Sequence, residues 1–327
     1  MRKLIALIAA AAALTGCGGG SDDADLVIYS GRSEPLIKPF LEEFAEKEGL
    51  NVKIRFGDTA DLVGTLLEEG ERTRADVFIG QDAAALERLR EDGLLQPHEG
   101  TARVPERYRA SDLTWTGLSG RARVLIVRDG AAHPESVFDL TDPRWRGKLA
   151  APTTRNVSFR DFITVVRLKR GDEFARGYLE GLKRNGVEIL ASHGEVRRAV
   201  GEGEFDIGLV NHYYVELEKR EGSDVSAVFT DQEPGGFGVV FNLASAGITA
   251  SSEHAENAAK LLDYLLTPEV QERFARANFE YPLLPGLEAA PGVRPLEDVL
   301  TTEVSYEDIA RATEGTEDLI AEAGLEE

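Results

Sequence analysis

Apolar and polar residues follow two different periods along the chain, and this pattern predicts strands interleaved with helices. Residues 26–29 form a short run rich in β-branched and aromatic side chains, and residues 52–56 alternate like a half-buried strand. Between them, Leu36, Phe40 and Phe44 recur every fourth position and form one apolar face of a helix. The order strand, helix, strand is typical of an α/β fold with largely parallel strands.

The same alternation continues to the C-terminus. We predict helices at residues 59–69, 83–90, 159–168, 173–183, 195–200, 253–266, 268–278 and 306–323, and strands at residues 75–79, 124–127, 187–191, 205–210 and 239–243. Ser33 and Asn211 are expected to cap the helices that follow them, because their side chains accept hydrogen bonds from the free N–H groups of a helix start.

Two strand-rich stretches, at residues 124–127 and 238–243, are candidate crossovers between two lobes. The first lobe is then discontinuous and the second is inserted into it, and a C-terminal helical tail packs on both. The predicted boundaries are 25–122 plus 244–300 for the N-terminal lobe, 123–243 for the C-terminal lobe and 301–327 for the tail. A ligand is expected in the cleft between the lobes, because such clefts commonly hold ligands.

The N-terminus has the features of a processing signal. Arg2 and Lys3 precede an apolar run at residues 4–14, which is too short to span a membrane and fits a signal peptide covering residues 1–16. Residues 14–17, ending in Cys17, resemble the lipobox of bacterial lipoproteins, so we expect lipidation of Cys17. Residues 17–24 are then predicted to be the lipid anchor, Cys17, followed by a flexible polar tether.

Charge and composition exclude several functions. The formal net charge is −21, which repels nucleic acid. Cys17 is the only cysteine, so no disulfide, cysteine metal site or cysteine nucleophile is expected in the folded part. The sequence has no Gly-rich phosphate loop after a strand, no G-x-S-x-G turn and no histidine pair at metalloprotease spacing, and we therefore do not expect an enzyme.

Candidate chemistry lies in residues 211–214, directly after a predicted buried strand. At a helix start, Tyr213 and Tyr214 are separated by about 100° around the axis, so their phenol oxygens can meet at one point. A free phenol is neutral at pH 7, with a pKa of about 10, but a strongly charged cation displaces its proton. Hard oxygen ligands of this kind suit Fe(III) better than Zn(II) or Cu(I).

A pair of tyrosines alone is more often core packing than a metal site, but its context here is specific. The chain resembles the ferric-ion-binding proteins of bacterial ABC importers, the bacterial transferrins, over nearly all of its mature length. The matching stretches are residues 29–34, 75–78, 119–124, 140–148, 211–214 and 281–283. The resemblance implies a two-lobed type II periplasmic binding protein, a Venus flytrap in which each lobe is a mixed, mostly parallel sheet flanked by helices.

The resemblance also implies a ligand set, from which this sequence departs in part. The adjacent tyrosines of the family fall on Tyr213 and Tyr214. Some members have a histidine where Ser33 stands, a glutamate where Gln81 stands, or a third tyrosine near Asn156. With two protein ligands in place, exogenous oxygens such as carbonate or phosphate must complete the shell. Residues implied as anion-binding or outer-shell groups are Arg32, Ser33, Gln81, Arg121, Arg123, Asn156, Ser158, His193 and Asn211.

Two of these positions have additional expectations. His193 is expected in a loop where relatives often carry an anion-binding asparagine. Arg123 lies beside a predicted crossover strand, and a planar guanidinium pairs well with oxyanions.

The resemblance implies Fe(III) as the transported ligand with a synergistic carbonate or phosphate, and ABC permease and ATPase subunits as partners. We expect a lipid-tethered monomer in the periplasm or on the outer face of the cytoplasmic membrane, without affinity for nucleic acid. Because the other family ligands are missing, a non-metal solute such as a polyamine, thiamine or an organophosphate stays open as the alternative.

Overall fold

The computed structural model describes residues 24–325, in which strands and helices alternate. The strands are β1 (Leu26–Ser30), β2 (Val52–Phe56), β3 (Val77–Gly80), β4 (Leu95–Gln96), β5 (Trp115–Arg128), β6 (Leu149–Pro152), β7 (Glu188–Leu190), β8 (Ile207–Asn211), β9 (Val225–Val228) and β10 (Phe241–Thr249). The helices are α1 (Glu34–Glu48), α2 (Thr59–Glu69), α3 (Ala83–Glu91), α4 (Val157–Arg170), α5 (Asp172–Arg184), α6 (His193–Gly201), α7 (His212–Arg220), α8 (Ala255–Leu265), α9 (Pro268–Asn278) and α10 (Tyr306–Ala323). The predicted signal peptide and Cys17 lie outside the described residues.

The strands are hydrogen-bonded in the order β2-β1-β3-β10-β5-β8-β6-β7. At one end β1 pairs in parallel with β2 and β3, and at the other β6 pairs in parallel with β7 and β8. The two central strands, β10 and β5, run antiparallel to their neighbours. The predicted α/β class with mixed, mostly parallel sheets is therefore confirmed, and two antiparallel strands join the parallel groups.

Strand β5 pairs with a different strand in each of its two halves. Its first half, up to Ala122, pairs with β10, and its second half, from Arg123, pairs with β8. The chain changes partners between these two residues, at a switch point, without breaking the strand. The lobe boundaries given above stay a prediction.

The sequence pattern predicted both central strands with the wrong ends. The strand predicted at residues 124–127 is the end of the 14-residue β5, and the strand predicted at 239–243 is Phe241–Thr249. All but one residue of β5 and every residue of β10 are buried. A strand buried on both faces lacks the polar alternation that marks a half-exposed strand. The glycines and arginines of β5 also interrupted its apolar run.

Buried apolar side chains form two clusters that fix the elements around the sheets. One includes Leu26 of β1, Val77 of β3 and Ile248 of β10. The other includes Phe159 of α4 and Leu319 of α10. Helix α10 packs on α3, α4 and α5, so the C-terminal helix contacts elements that the sequence assigned to different lobes. Burying each such side chain contributes about 1.5–3 kcal/mol.

Both predicted helix caps are wrong in their hydrogen bonding. Ser33 and Asn211 do precede α1 and α7, but neither side chain accepts a bond from the helix it precedes. Ser33 is exposed, and Pro35 in the first turn of α1 already removes one free N–H group from the helix start. The amide of Asn211 is engaged elsewhere, as described below.

Candidate functional site

Two tyrosines occupy the second and third positions of α7, where the chain leaves β8. The ring centroids of Tyr213 and Tyr214 are 4.2 Å apart and the ring planes are inclined by 31°. Tyr213 is buried and Tyr214 is half-buried. The helix start therefore brings the two phenols side by side, with one of them open to approach. Their role as metal ligands stays a prediction.

The phenol of Tyr213 is neutral in the protein as it stands. Burial, then the neighbouring Tyr214 and Glu280, raises the pKa of Tyr213 well above its usual value of 10. Arg121 and Arg32 act in the opposite direction. Only a strongly charged cation can supply the energy needed to remove this proton.

Histidine 193 is placed differently from the sequence expectation. It is the first residue of α6, not part of a loop, because the Ser192 side chain accepts a hydrogen bond from Glu195 N and caps the helix. The His193 ring stacks on Tyr214 with centroids 5.0 Å apart. Burial, then Arg123 and Arg121, lowers the pKa of His193 well below 6.5, so the imidazole is neutral.

Four polar side chains connect the starts of α4, α6 and α7. Asn156 caps α4 by accepting from Ser158 N at 3.0 Å, and His193 Nε2 lies 3.0 Å from the same Asn156 oxygen. The Asn211 amide donates to Ser158 Oγ at 3.2 Å, which explains why it does not cap its own helix. Since helix N-termini carry partial positive charge, this grouping favours an anion nearby.

Arginines of β5 lie on one face of the strand, together with Ser119. Side chains two positions apart in a strand point the same way, so Arg121 and Arg123 are on the same side. Arg121 Nη2 donates to Leu243 O at 3.2 Å, and Arg123 Nη1 lies 3.4 Å from His193 Nε2. Both side chains are buried, and Arg121 Nε and Arg123 Nε and Nη2 have no partner among residues 24–325.

Such unpaired buried donors are uncommon in folded proteins. Burial lowers the pKa of Arg123 to about 10, so its guanidinium is still charged at neutral pH. The two arginines therefore present positive charge and free N–H groups to whatever enters the site, and an oxyanion is the natural acceptor.

Sequence reasoning missed Glu280, which is fully buried beside Arg32. Arg32 Nη2 donates to both carboxylate oxygens of Glu280, at 2.9 and 3.1 Å, and Ser119 Oγ donates to one of them. The available signal was a carboxylate directly before Tyr281, in a stretch already recognised as informative.

Gln81 contacts the site only indirectly, and Ser33 is exposed. Gln81 Nε2 donates to Gly31 O at 2.8 Å and so holds the loop that carries Arg32. Neither side chain has a hydrogen bond to the tyrosines within the described part of the chain.

His212, next to the pair, has a structural setting. Its Nδ1 accepts from Ala122 N at 3.1 Å, and its ring stacks on Tyr281 with centroids 4.3 Å apart. Burial lowers the pKa of His212 to about 4, so the ring is neutral. The first turn of α7 is thereby attached to the switch point of β5.

Other residue types offer no competing metal site in the part of the chain that the structure describes. Among residues 24–325, no group of three His, Cys, Asp or Glu side chains is arranged to hold a metal ion. No helix in the same range is long and apolar enough to cross a membrane.

Comparisons with known proteins relate nearly the whole chain to solute-binding proteins. A family model described as "bacterial extracellular solute-binding protein" matches residues 26–280. The chain is 27% identical to the Fe(3+)-binding periplasmic protein of Serratia marcescens, over 98% of this chain and 97% of that protein. It is also 27% identical to the major ferric iron-binding protein of Neisseria meningitidis serogroup A, over 92% and 93%. Iron-bound HitA from Pseudomonas aeruginosa superposes with a TM-score of 0.85 at 28% identity, over 91% and 99% of the two chains.

Proposed function

The chain belongs to the bacterial extracellular solute-binding protein family, whose members are transport proteins, and on this premise we propose that it captures ferric iron for import. The ion binds between the two lobes together with a synergistic oxyanion, carbonate or phosphate. The closed, loaded protein then delivers it to the permease and ATPase subunits of an ABC transporter. Relatives named for ferric iron binding support this choice of solute.

The observation that carries the proposal is the phenol pair. Tyr213 and Tyr214 lie 4.2 Å apart between ring centroids, at the start of one helix and close to buried arginines. Two phenolates supply hard, negatively charged oxygens, the ligand type that Fe(III) prefers. Packing alone does not require two adjacent phenols to sit among cationic side chains.

Charge balance supports the oxyanion. An Fe(III) ion with two phenolates has one net positive charge, and Arg121 and Arg123 add two more in a buried setting. Such like charges repel strongly at low dielectric. A dianion such as carbonate reduces this repulsion and accepts hydrogen bonds from the free guanidinium N–H groups. Asn156, Ser158, His193 and Asn211 supply further polar atoms for it.

Iron binding is coupled to closure of the lobes. The predicted lobes, 25–122 plus 244–300 and 123–243, are joined by β5 and the segment entering β10. A ligand that contacts both lobes stabilises the closed form by its difference in affinity for the two states. Arg32 comes from the first lobe and the tyrosines come from the second, so metal and anion together bridge the cleft.

The protein acts outside the cytoplasmic membrane. We propose that it is a monomer held by a lipid on Cys17, in the periplasm or on the outer face of a single membrane. Metabolic labelling with a fatty acid tests the lipid anchor. The parent should incorporate the label and a Cys17→Ala strain should not; no label on the parent, or equal label on the variant, would contradict lipidation at Cys17.

Titration with ferric salt tests the iron assignment. The parent should develop a visible phenolate-to-iron charge-transfer band, and Tyr213→Phe and Tyr214→Phe should each lose it while remaining folded by circular dichroism. Tyr264→Phe, in α8 away from the site, is the matched control and should keep the band. If both site variants bind iron as well as the parent, the tyrosine site is wrong.

A further inference from the structure

Glu280 is held rigidly at the edge of the candidate site. It follows Phe279, whose φ of 58° turns the chain sharply at the end of α9. It precedes Tyr281, which exchanges two backbone hydrogen bonds with Gly120 of β5, at 2.8 and 2.9 Å. The backbone is thus anchored on both sides of Glu280, to the end of α9 and to β5.

The carboxylate of Glu280 accepts three hydrogen bonds from its neighbours. Arg32 Nη2 donates to both oxygens, and Ser119 Oγ adds a third bond. Arg32 and Glu280 are both buried, so this ion pair is poorly screened by solvent. Arg32 Nε is buried without a partner among residues 24–325. Arg32 therefore has donor capacity left for a ligand, but its charge is already compensated.

The other two arginines of the site differ from Arg32 in this respect. Within residues 24–325, neither Arg121 nor Arg123 forms an ion pair, and their contacts are to Leu243 O and His193. Glu280 thus reduces the charge of the three-arginine cluster from three to two. An anion approaching Arg32 must also approach the negative charge of Glu280.

We propose that Glu280 makes oxyanion capture conditional on the metal, by holding Arg32 and repelling an anion until a trivalent cation is present. This inference rests on the proposed iron function. Glu280 acts through Arg32 and is a positioning residue. Because coupling between two ligands is reciprocal, the anion then strengthens metal binding by the same factor that the metal strengthens anion binding.

Phosphate titration by calorimetry, on metal-free and on Fe(III)-loaded protein, tests the role of Glu280. We expect Glu280→Gln to raise the phosphate affinity of the metal-free protein by about tenfold, within the usual range of coupling between sites. The enhancement that iron gives to phosphate binding should fall correspondingly. A merely structural role would weaken both affinities. Equal or weaker metal-free binding by a folded variant, or no measurable binding by either protein, overturns the proposal.

A second pair of variants keeps the test decisive if Glu280→Gln does not fold. Arg32→Gln leaves Glu280 uncompensated and should lower metal-free phosphate affinity by at least about tenfold. The double variant Arg32→Gln/Glu280→Gln restores the charge of the cluster and should recover to within about threefold of the parent. If the single and double variants bind phosphate equally, Glu280 does not control the anion.

Glu87→Gln is the matched control for losing a buried carboxylate of an ion pair. Glu87 is buried and pairs with Arg90 within α3, in a different element from the tyrosines, and its loss should leave phosphate affinity unchanged. The phosphate titrations of the metal-free proteins can be interpreted whether or not the parent binds iron. Failure of the proposed function, seen as no iron uptake by the parent, is therefore distinguishable from failure of the Glu280 inference.

Discussion

Two buried carboxyls outside the candidate site make the stability of the protein depend on pH. Asp82 caps α3 by accepting from Ala85 N at 2.7 Å, and Asp161 of α4 accepts from the Asn242 amide at 2.6 Å. Each has a second oxygen that is buried without a partner among residues 24–325. Burial, then the charge of Asp82, raises the pKa of Asp161 to about 7. Arg160 and Arg121 oppose this shift only in part.

Asp161→Asn removes the titrating group but keeps its shape. A carboxyl whose pKa is raised on folding stabilises the native state below its unfolded pKa, and that contribution is lost as the pH rises through the folded pKa. With values of 3.8 unfolded and about 7 folded, the wild type loses about 2–3 kcal/mol between pH 5 and pH 8 from this group. Asp161→Asn has no such loss. Its free energy of unfolding relative to the wild type should therefore increase by about 2–3 kcal/mol between pH 5 and pH 8.

Urea denaturation at pH 5 and pH 8 measures the difference directly. The free energy of unfolding of Asp161→Asn minus that of the wild type should increase with pH. Asp61→Asn, at an exposed position of α2, is the control and should show a small difference that does not vary in this way. A difference for Asp161→Asn that stays constant or decreases from pH 5 to pH 8 would refute the reasoning.

Three further predictions concern the site and the switch strand. Iron loading near pH 7 should release about two protons per ion from the parent, since burial raises the pKa of Tyr213 well above 10. Tyr213→Phe, which is expected to lose the iron site, should release none on the same addition of iron; equal proton yields from the two proteins in a pH-stat would contradict this. Arg123→Gln should weaken iron binding mainly when carbonate or phosphate is present, and a loss independent of the anion would count against its role. Gly120→Ala places a Cβ 2.1 Å from Phe241 Cζ and should cost about 1–3 kcal/mol in urea denaturation; an unchanged midpoint would show that the ring moves freely.

Local sequence patterns were enough to predict helices that have their own apolar face and their own start signal. The helices at Thr59–Glu69, Pro268–Asn278 and Tyr306–Ala323 were predicted with their observed ends. Each has an apolar face of helical period and a recognisable cap or proline at its start. The tyrosine pair could likewise be found from sequence, because adjacent residues at a helix start converge without help from the rest of the fold.

Tertiary structure alone decided how the charges of the site are arranged. Arg32 and Glu280 are 248 positions apart in the chain, and no local pattern connects them. The Asn211 amide turned from its own helix to Ser158 because β8 ends beside the start of α4. The full length of β5 was hidden because a strand buried on both faces carries no alternation. Sequence determines what each segment prefers, whereas long-range pairing and burial determine which charged groups meet.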